Sequence, residues 1–227
     1  MDILQSTTHP GWLILFGLGI SFVPMLMGIS TSYLKVSIVL GLLKSGLGAQ
    51  QVPGNMVIMS LSLAITLFVM GPVIDNTTLL LANFDKPSLS EIPTKLEIEK
   101  MMAVTLPWKS FLKKHSAKEE IKTFQKLKTS QVETKNSEVK IVEVLPEDDI
   151  WILLPAFMLT ELKEAFSIGF VLLLPFLVID LVVSNILAGM GMMMVSPVMI
   201  SLPIKLLIFV LCDGWTLITR GLVQSYV

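Results

Sequence analysis

The chain has 227 residues, 53% of them hydrophobic and only 15% charged, and its mean hydropathy is +0.75. That apolar excess excludes an ordinary soluble domain, and a net charge of −1 gives no reason to expect nucleic acid as a partner. One cysteine, Cys212, and two histidines, His9 and His115, exclude a disulfide framework and leave too few donors for a Cys/His metal cluster, so neither a metal nor a cofactor is expected.

Between Asp75 and Asp149 lie 25 of the 35 charged residues, which divides the chain into an apolar block, 1–74, a hydrophilic segment, 75–149, and a second apolar block, 150–227. The start, Met1-Asp2-Ile3, has no basic n-region and no A-x-A site follows it, so the first apolar run reads as retained rather than cleaved. Gly11 to Ile29 approaches the ~20 apolar residues of a spanning helix. Trp12 suits an interfacial anchor, Gly17, Gly19 and Gly28 let a neighbouring helix come close, and Pro24 is tolerable in such surroundings. A second span is predicted over Asn55 to Val73, between a turn at Pro53-Gly54 and a stop at Gly71-Pro72. The link from Ser30 to Gly54 carries Lys35 and Lys44 and no acid. The positive-inside rule therefore places it on the cytoplasmic side and residues 75–149 on the opposite face.

In the hydrophilic segment Leu96, Met101, Met102, Val104, Leu106, Trp108, Phe111 and Leu112 can line an apolar helix stripe, with interruptions at Pro93 and Pro107. Ile121, Phe124 and Leu127 follow at i,i+3 spacing within a lysine- and glutamate-rich run, which reads as an exposed amphipathic helix with a solvated charged face. A looser connection leads to Pro146-Glu147-Asp148-Asp149. In the last block Pro155, Pro175, Pro197 and Pro203 are expected to cut the chain into short helical pieces. Irregular backbone of that kind is tolerated at membrane depth where protein buries it, so this block expects partner subunits.

Two constellations stand out there. Glu161, Asp180 and Lys205 are ionisable groups in apolar surroundings, and each needs an opposite charge or several hydrogen bonds. Lys205 can pair with Asp180 or with Glu161, within a hairpin or between copies in a ring. A pair that fixes helix register is favoured over a proton or ion relay, because no further His, Asp or Glu extends a pathway. The second constellation is Met190, Met192, Met193 and Met194, with Gly189 and Gly191 beside them and Pro197 after them. A methionine face is usually core, but three consecutive methionines cover every direction around a helix. A deformable apolar constriction uses them all. Catalysis has little support: Asp180 and Asp213 lack the surroundings of an aspartyl pair, and no H-E-x-x-H, G-x-S-x-G or phosphate-binding glycine loop occurs.

Three stretches resemble one family. They are Thr31-Ser32-Tyr33-Leu34-Lys35-Val36-Ser37-Ile38-Val39-Leu40-Gly41 continuing through Leu47 to Asn55, Ala165-Phe166-Ser167-Ile168-Gly169 with Pro175 to Val182, and Met190 to Met194 with Ser196-Pro197 and Leu202 to Leu207. They are similar to the export-gate membrane protein of type III secretion, FliP in flagella and SctR in injectisomes. Ser196-Pro197 in place of Pro-Pro and the absent leader favour the injectisome branch. The resemblance implies an all-α, integral membrane helical-hairpin subunit of a ring-shaped pore in the bacterial inner membrane, multi-pass, with a periplasmic hydrophilic insertion. It implies a homo-oligomer assembled with FliQ-like (SctS) and FliR-like (SctT) subunits, through which unfolded proteins are exported, and no enzymatic activity. On the same resemblance Met192, Met193 and Met194 match a methionine gasket, while Glu161, Asp180 and Lys205 match charged positions between neighbouring subunits. The competing reading is an ion- or proton-coupled transporter with Asp180 and Lys205 as its relay.

Overall fold

The computed structural model describes residues 17–19, 21–22, 27–48, 53–82, 103–135, 149–192 and 194–227. Among them the regular structure is helical, with no strand. The main elements are α1 (Tyr33–Leu47), α2 (Asn55–Ala82), α3 (Leu106–Lys114), α4 (Lys118–Lys135), α5 (Ile150–Gly189), α6 (Pro197–Leu211) and α7 (Gly214–Gln224). The span expected over Gly11 to Ile29 lies largely outside the described residues, as do Pro93, Leu96, Met101 and Met102.

The axis of the fold is α5, whose 40 residues extend about 60 Å at 1.5 Å per residue. It starts at the edge of the hydrophilic segment because Asp149 caps it, accepting a hydrogen bond from the Trp151 amide at 3.1 Å. The expectation that prolines divide the last block is met only at Pro197, which opens α6, since Pro155 and Pro175 lie inside α5 and Pro203 inside α6. Nor does Gly71-Pro72 stop α2, which runs on through Pro72 to Ala82. A proline deletes one backbone donor, and in apolar surroundings the remaining helical bonds have no water to compete with them. The breaks fall instead where the backbone must turn. Gly191 has φ 76, a left-handed conformation natural to glycine, between α5 and α6. Asp213, with φ 49, sits where α6 and α7 bend by 63°.

Small residues set the packing of α1 on α5. A Cβ built on Gly169 would stand 2.2 Å from Leu42 Cδ1, and one on Gly46 would stand 2.6 Å from Leu173 Cδ2. The two contacts advance together along both helices, so α1 and α5 are parallel. Val36, Val39, Leu40 and Leu43 of α1 are fully buried in this seam, with Ala165 and Phe176 of α5 and Phe209 of α6. The stretch between the expected spans is therefore a packed helix, and Lys35, one of the two charges used to orient it, is buried inside the protein.

A second core joins the hydrophilic helices to the first third of α5. Phe111 and Leu112 of α3 and Ile121 of α4 close on Ile152, Leu153, Ala156 and Phe157. Pro107 stands in the first turn of α3, where a missing N–H costs nothing. Ion pairs Lys163–Glu120 and Lys128–Asp149 lay α4 antiparallel to α5. Ala117 N donates to Thr160 Oγ1 at 3.0 Å and Trp108 Nε1 to the Ser30 carbonyl at 2.9 Å. Leu127 faces outward rather than completing the apolar stripe.

Asn55–Ala82 and Ile150–Gly189 are each long and apolar enough to cross a membrane, and the bent pair α6–α7 makes a third candidate. Only 28% and 17% of the most apolar windows of α2 and α5 are buried. The chain is a membrane protein whose outer apolar faces require lipid or other protein. Filling the α1–α5 seam tests this packing: Gly169→Val is expected to lower stability by about 1–3 kcal/mol, read as a reduced unfolding midpoint in mild detergent, whereas the same change at Gly71, which faces open space, should leave it nearly unchanged.

Candidate functional site

Three features lie along α5. At the first, α5 presents Glu161 and Glu164, three residues apart and hence on one face, to Lys35 in the first turn of α1. Lys35 Nζ stands 3.1 Å from Glu161 Oε1 and 2.7 Å from Glu164 Oε2. Lys35 and Glu161 are buried, whereas Glu164 is half exposed. Two ions withdrawn from water must satisfy one another and their remaining donors and acceptors, and Tyr226 completes the set. Its hydroxyl donates to Glu161 Oε2, and its ring lies under the ammonium with Nζ 4.1 Å from the centroid. Burial and the Glu161 carboxylate push the Tyr226 hydroxyl far up, so it remains a donor.

Tyr226 also touches the hydrophilic part, with ring centroids 6.1 Å from Phe111 and 5.2 Å from His115. His115 is held down to about 4 by burial first and then by the Lys114 and Lys35 charges, with Glu164 opposing. It is therefore neutral near pH 7. One ionic knot thus joins α1, α5, the end of the chain and α3.

The second feature lies 19 residues further along α5, about 29 Å away at helical rise. Lys205 Nζ donates to Asp180 Oδ2 at 2.6 Å and to the Gly46 carbonyl at 3.0 Å. Lys205 is buried and Asp180 about a third exposed. Gly46 lies in the last turn of α1, where carbonyls lack helical partners, so a single ammonium neutralises an acid on α5 and satisfies the end of α1. The hairpin alternative is thus the arrangement within this chain. Glu161 is not the partner of Lys205: its cation is Lys35.

The third feature is the turn between α5 and α6. Met190, Met192, Met194, Val195 and Met199 are exposed there together, while Met193 lies outside the described residues. The α5 carbonyls are closed off by Met190 N to Ile186 O, Gly191 N to Ala188 O and Met192 N to Leu187 O, each 3.0 Å. Met190, Met192, Met194 and Met199 are left exposed to other surfaces. Soft, unbranched side chains on such a turn can adapt to another surface or to each other. No group of three His, Cys, Asp or Glu side chains suited to a metal occurs among the described residues.

Lys35, Glu164, Tyr226 and His115 are not among the site residues the sequence points to. Lys35 carried a signal nevertheless, because Lys35, Val39 and Leu43 fall on one helical stripe, and a charge on a stripe that becomes core has to be paired. Tyr226 had none, since its partner is 65 residues away.

The FliP family's sequence model matches residues 17–222. The chain is 45% identical over 209 residues to the Yop proteins translocation protein R of Yersinia pestis, covering 91% of this chain and 92% of that protein. It is 38% identical over 210 residues to the surface presentation of antigens protein SpaP of Shigella flexneri, with the same coverage of both. The flagellar biosynthetic protein FliP of Caulobacter vibrioides is 38% identical over 208 residues, covering 91% of this chain and 73% of that protein.

Removing Lys35 strands two carboxylates, so Lys35→Met is expected to cost about 3–5 kcal/mol in detergent unfolding, and Lys35→Met/Glu161→Leu to recover a large part of it. Lys35→Met matching wild type would dismiss the knot. The unfolded chain protonates His115 near 6.5 and the folded chain only near 4, so stability should decline as pH falls through that window. The His115→Gln variant should show a flatter profile over the same range, and equal slopes would contradict the assignment.

Proposed function

This chain belongs to the FliP family, and from that premise we propose that it is a core export-gate subunit of a bacterial type III protein secretion system. The observation that carries the reading is the family match over residues 17–222 together with relatives named for translocation of Yop proteins, for surface presentation of antigens and for flagellar biosynthesis. The first two of these favour the injectisome branch. The gate sits in the inner membrane as a multi-pass protein, forms a homo-oligomeric ring and assembles with FliQ-like (SctS) and FliR-like (SctT) subunits. Unfolded proteins pass through it, and its role is structural rather than enzymatic. The relatives' names give no support to a relay of ions through Asp180 and Lys205.

In this reading the exposed apolar faces of α2, α5 and α6 meet neighbouring subunits and lipid, which agrees with the small buried share of α2 and α5. The methionine turn lines the narrowest part of the pore. Met190, Met192, Met193 and Met194 of successive copies close on one another, excluding water when no cargo is present and yielding to a passing chain. The Asp180–Lys205 clasp keeps α5 and α6 aligned so that the turn is presented in one position; of the three charges expected between subunits, Glu161 and Lys205 are buried within the chain, and only the partly exposed Asp180 is open to a neighbour.

Met192, Met193 and Met194 replaced together by alanine should give an assembled complex that leaks small solutes, measured as dye or ion flux in proteoliposomes. An assembled mutant complex as tight as wild type would contradict the gasket. Asp180→Asn leaves Lys205 without a counter-charge and is expected to reduce the amount of intact oligomer recovered from detergent. Full recovery of the oligomer together with loss of ion flux would favour the relay.

A further inference from the structure

Two neighbouring cavities beside the α1–α2 pair are used by none of these features. The first, of about 720 Å³, lies between the two helices and is lined by Ser37, Lys44, Ser45, Asn55 and Ser62 among others. The second, of about 330 Å³, is lined by Tyr33, Met56, Met59 and Leu63, with Met27 and Ser60. Met59 lines both, so a chamber of mixed lining, with Lys44, Asn55 and three serines beside Ile58 and Val198, stands next to an apolar one.

In the mixed chamber Lys44 Nζ donates to Asn55 Oδ1 at 2.7 Å and meets no carboxylate among the described residues. Lys35 and Lys205, by contrast, are both paired. The chamber's serines turn their protons to their own helices, Ser37 to Leu34 O, Ser45 to Gly41 O and Ser62 to Ile58 O. Of these side chains, the ammonium and the Asn55 amide nitrogen are left to donate. Charge complementarity therefore calls for an anion.

The apolar chamber says which kind. No charge occurs on α2 between Asn55 and Asp75, so Lys44 and Asn55 stand at the start of the apolar run. Met56, Met59 and Leu63 descend from there along one face, with Leu63 about 12 Å below Asn55 at helical rise. All three are exposed. A small anion has no use for this slot, and water gains nothing in it.

We infer that the joined cavities hold one anionic glycerophospholipid. Its phosphate and headgroup lie against Lys44 and the Asn55 amide, and an acyl chain runs along Met56, Met59 and Leu63, whose methionines adapt to it. The lipid would fill the space that the end of α1 and the start of α2 leave between them. The assignment stands whether or not the gate reading holds.

The test uses the full chain, delipidated in mild detergent, with dioleoyl phosphatidylglycerol, dioleoyl phosphatidylcholine or inorganic phosphate added in turn. Bound lipid is counted by native mass spectrometry and stability followed by thermal unfolding. Phosphatidylglycerol should bind as one tightly held molecule and raise the midpoint, while phosphatidylcholine and phosphate should do neither. Lys44→Gln should weaken phosphatidylglycerol binding roughly fivefold, the value of one lysine near an anionic headgroup. Met59→Trp, which blocks the junction between the chambers, should weaken it with Lys44 intact. Equal protection by the two lipids, protection by phosphate alone, or unchanged binding in both variants would each overturn the site.

Discussion

Lys35 and Glu161 are both buried, and the fold is arranged to make that tolerable. An isolated charge in such surroundings would cost several kcal/mol, so α1 has to lie where its lysine reaches α5, and the end of the chain has to return so that Tyr226 can satisfy the second carboxylate oxygen. The far end of α1 is held by another lysine, Lys205, through the Gly46 carbonyl. Between these points the glycine contacts Leu42–Gly169 and Gly46–Leu173 allow no sliding. Apolar packing in a membrane protein is weakly directional, since lipid competes for the same surfaces. Register here comes from the two ionic stations and the glycines between them.

That arrangement separates a fixed interior from an unfinished exterior. The α1–α5 seam is closed, the α3–α4 unit is latched to the start of α5, and the outward faces of α2, α5 and α6 remain apolar and open. The methionine turn stands at the end of α5, beyond the Asp180–Lys205 clasp. In the gate proposed above, soft side chains at the tip of a long helix would suit a seal that reforms after each passage. The neutral His115 and the Phe111–Tyr226 contact bring the hydrophilic helices into the same knot as α1 and the end of the chain.

Much of this was legible in the residues. The alternation of charge-free and charged blocks marked the two apolar regions, and Asp149 stands where the second begins. The helical period of Ile121 and Phe124 gave the inner face of α4, and the acid–base spacing of Asp180 and Lys205 allowed the hairpin. Proline misled except at Pro197, which opens α6, because its single lost hydrogen bond ends a helix in water far more readily than in apolar surroundings, and α5 passes both Pro155 and Pro175 unbroken. Lys35 misled differently. A lysine in a short link was read as a topology signal, whereas its neighbours Val36, Val39 and Leu40 were about to be buried, and the charge with them. Tyr226 was illegible, since nothing local announces a contact between the end of the chain and a glutamate 65 residues earlier.

A subunit of a larger ring betrays itself by mass, so the mass of the purified assembly is the most direct measurement. The chain should be extracted in mild detergent alone and after co-expression with the FliQ-like and FliR-like proteins of the same system, and weighed by native mass spectrometry. A discrete multimer that gains mass with those partners is the predicted result. A monomer or dimer whose mass is indifferent to them would contradict the export gate and leave the exposed faces of α2, α5 and α6 to lipid alone.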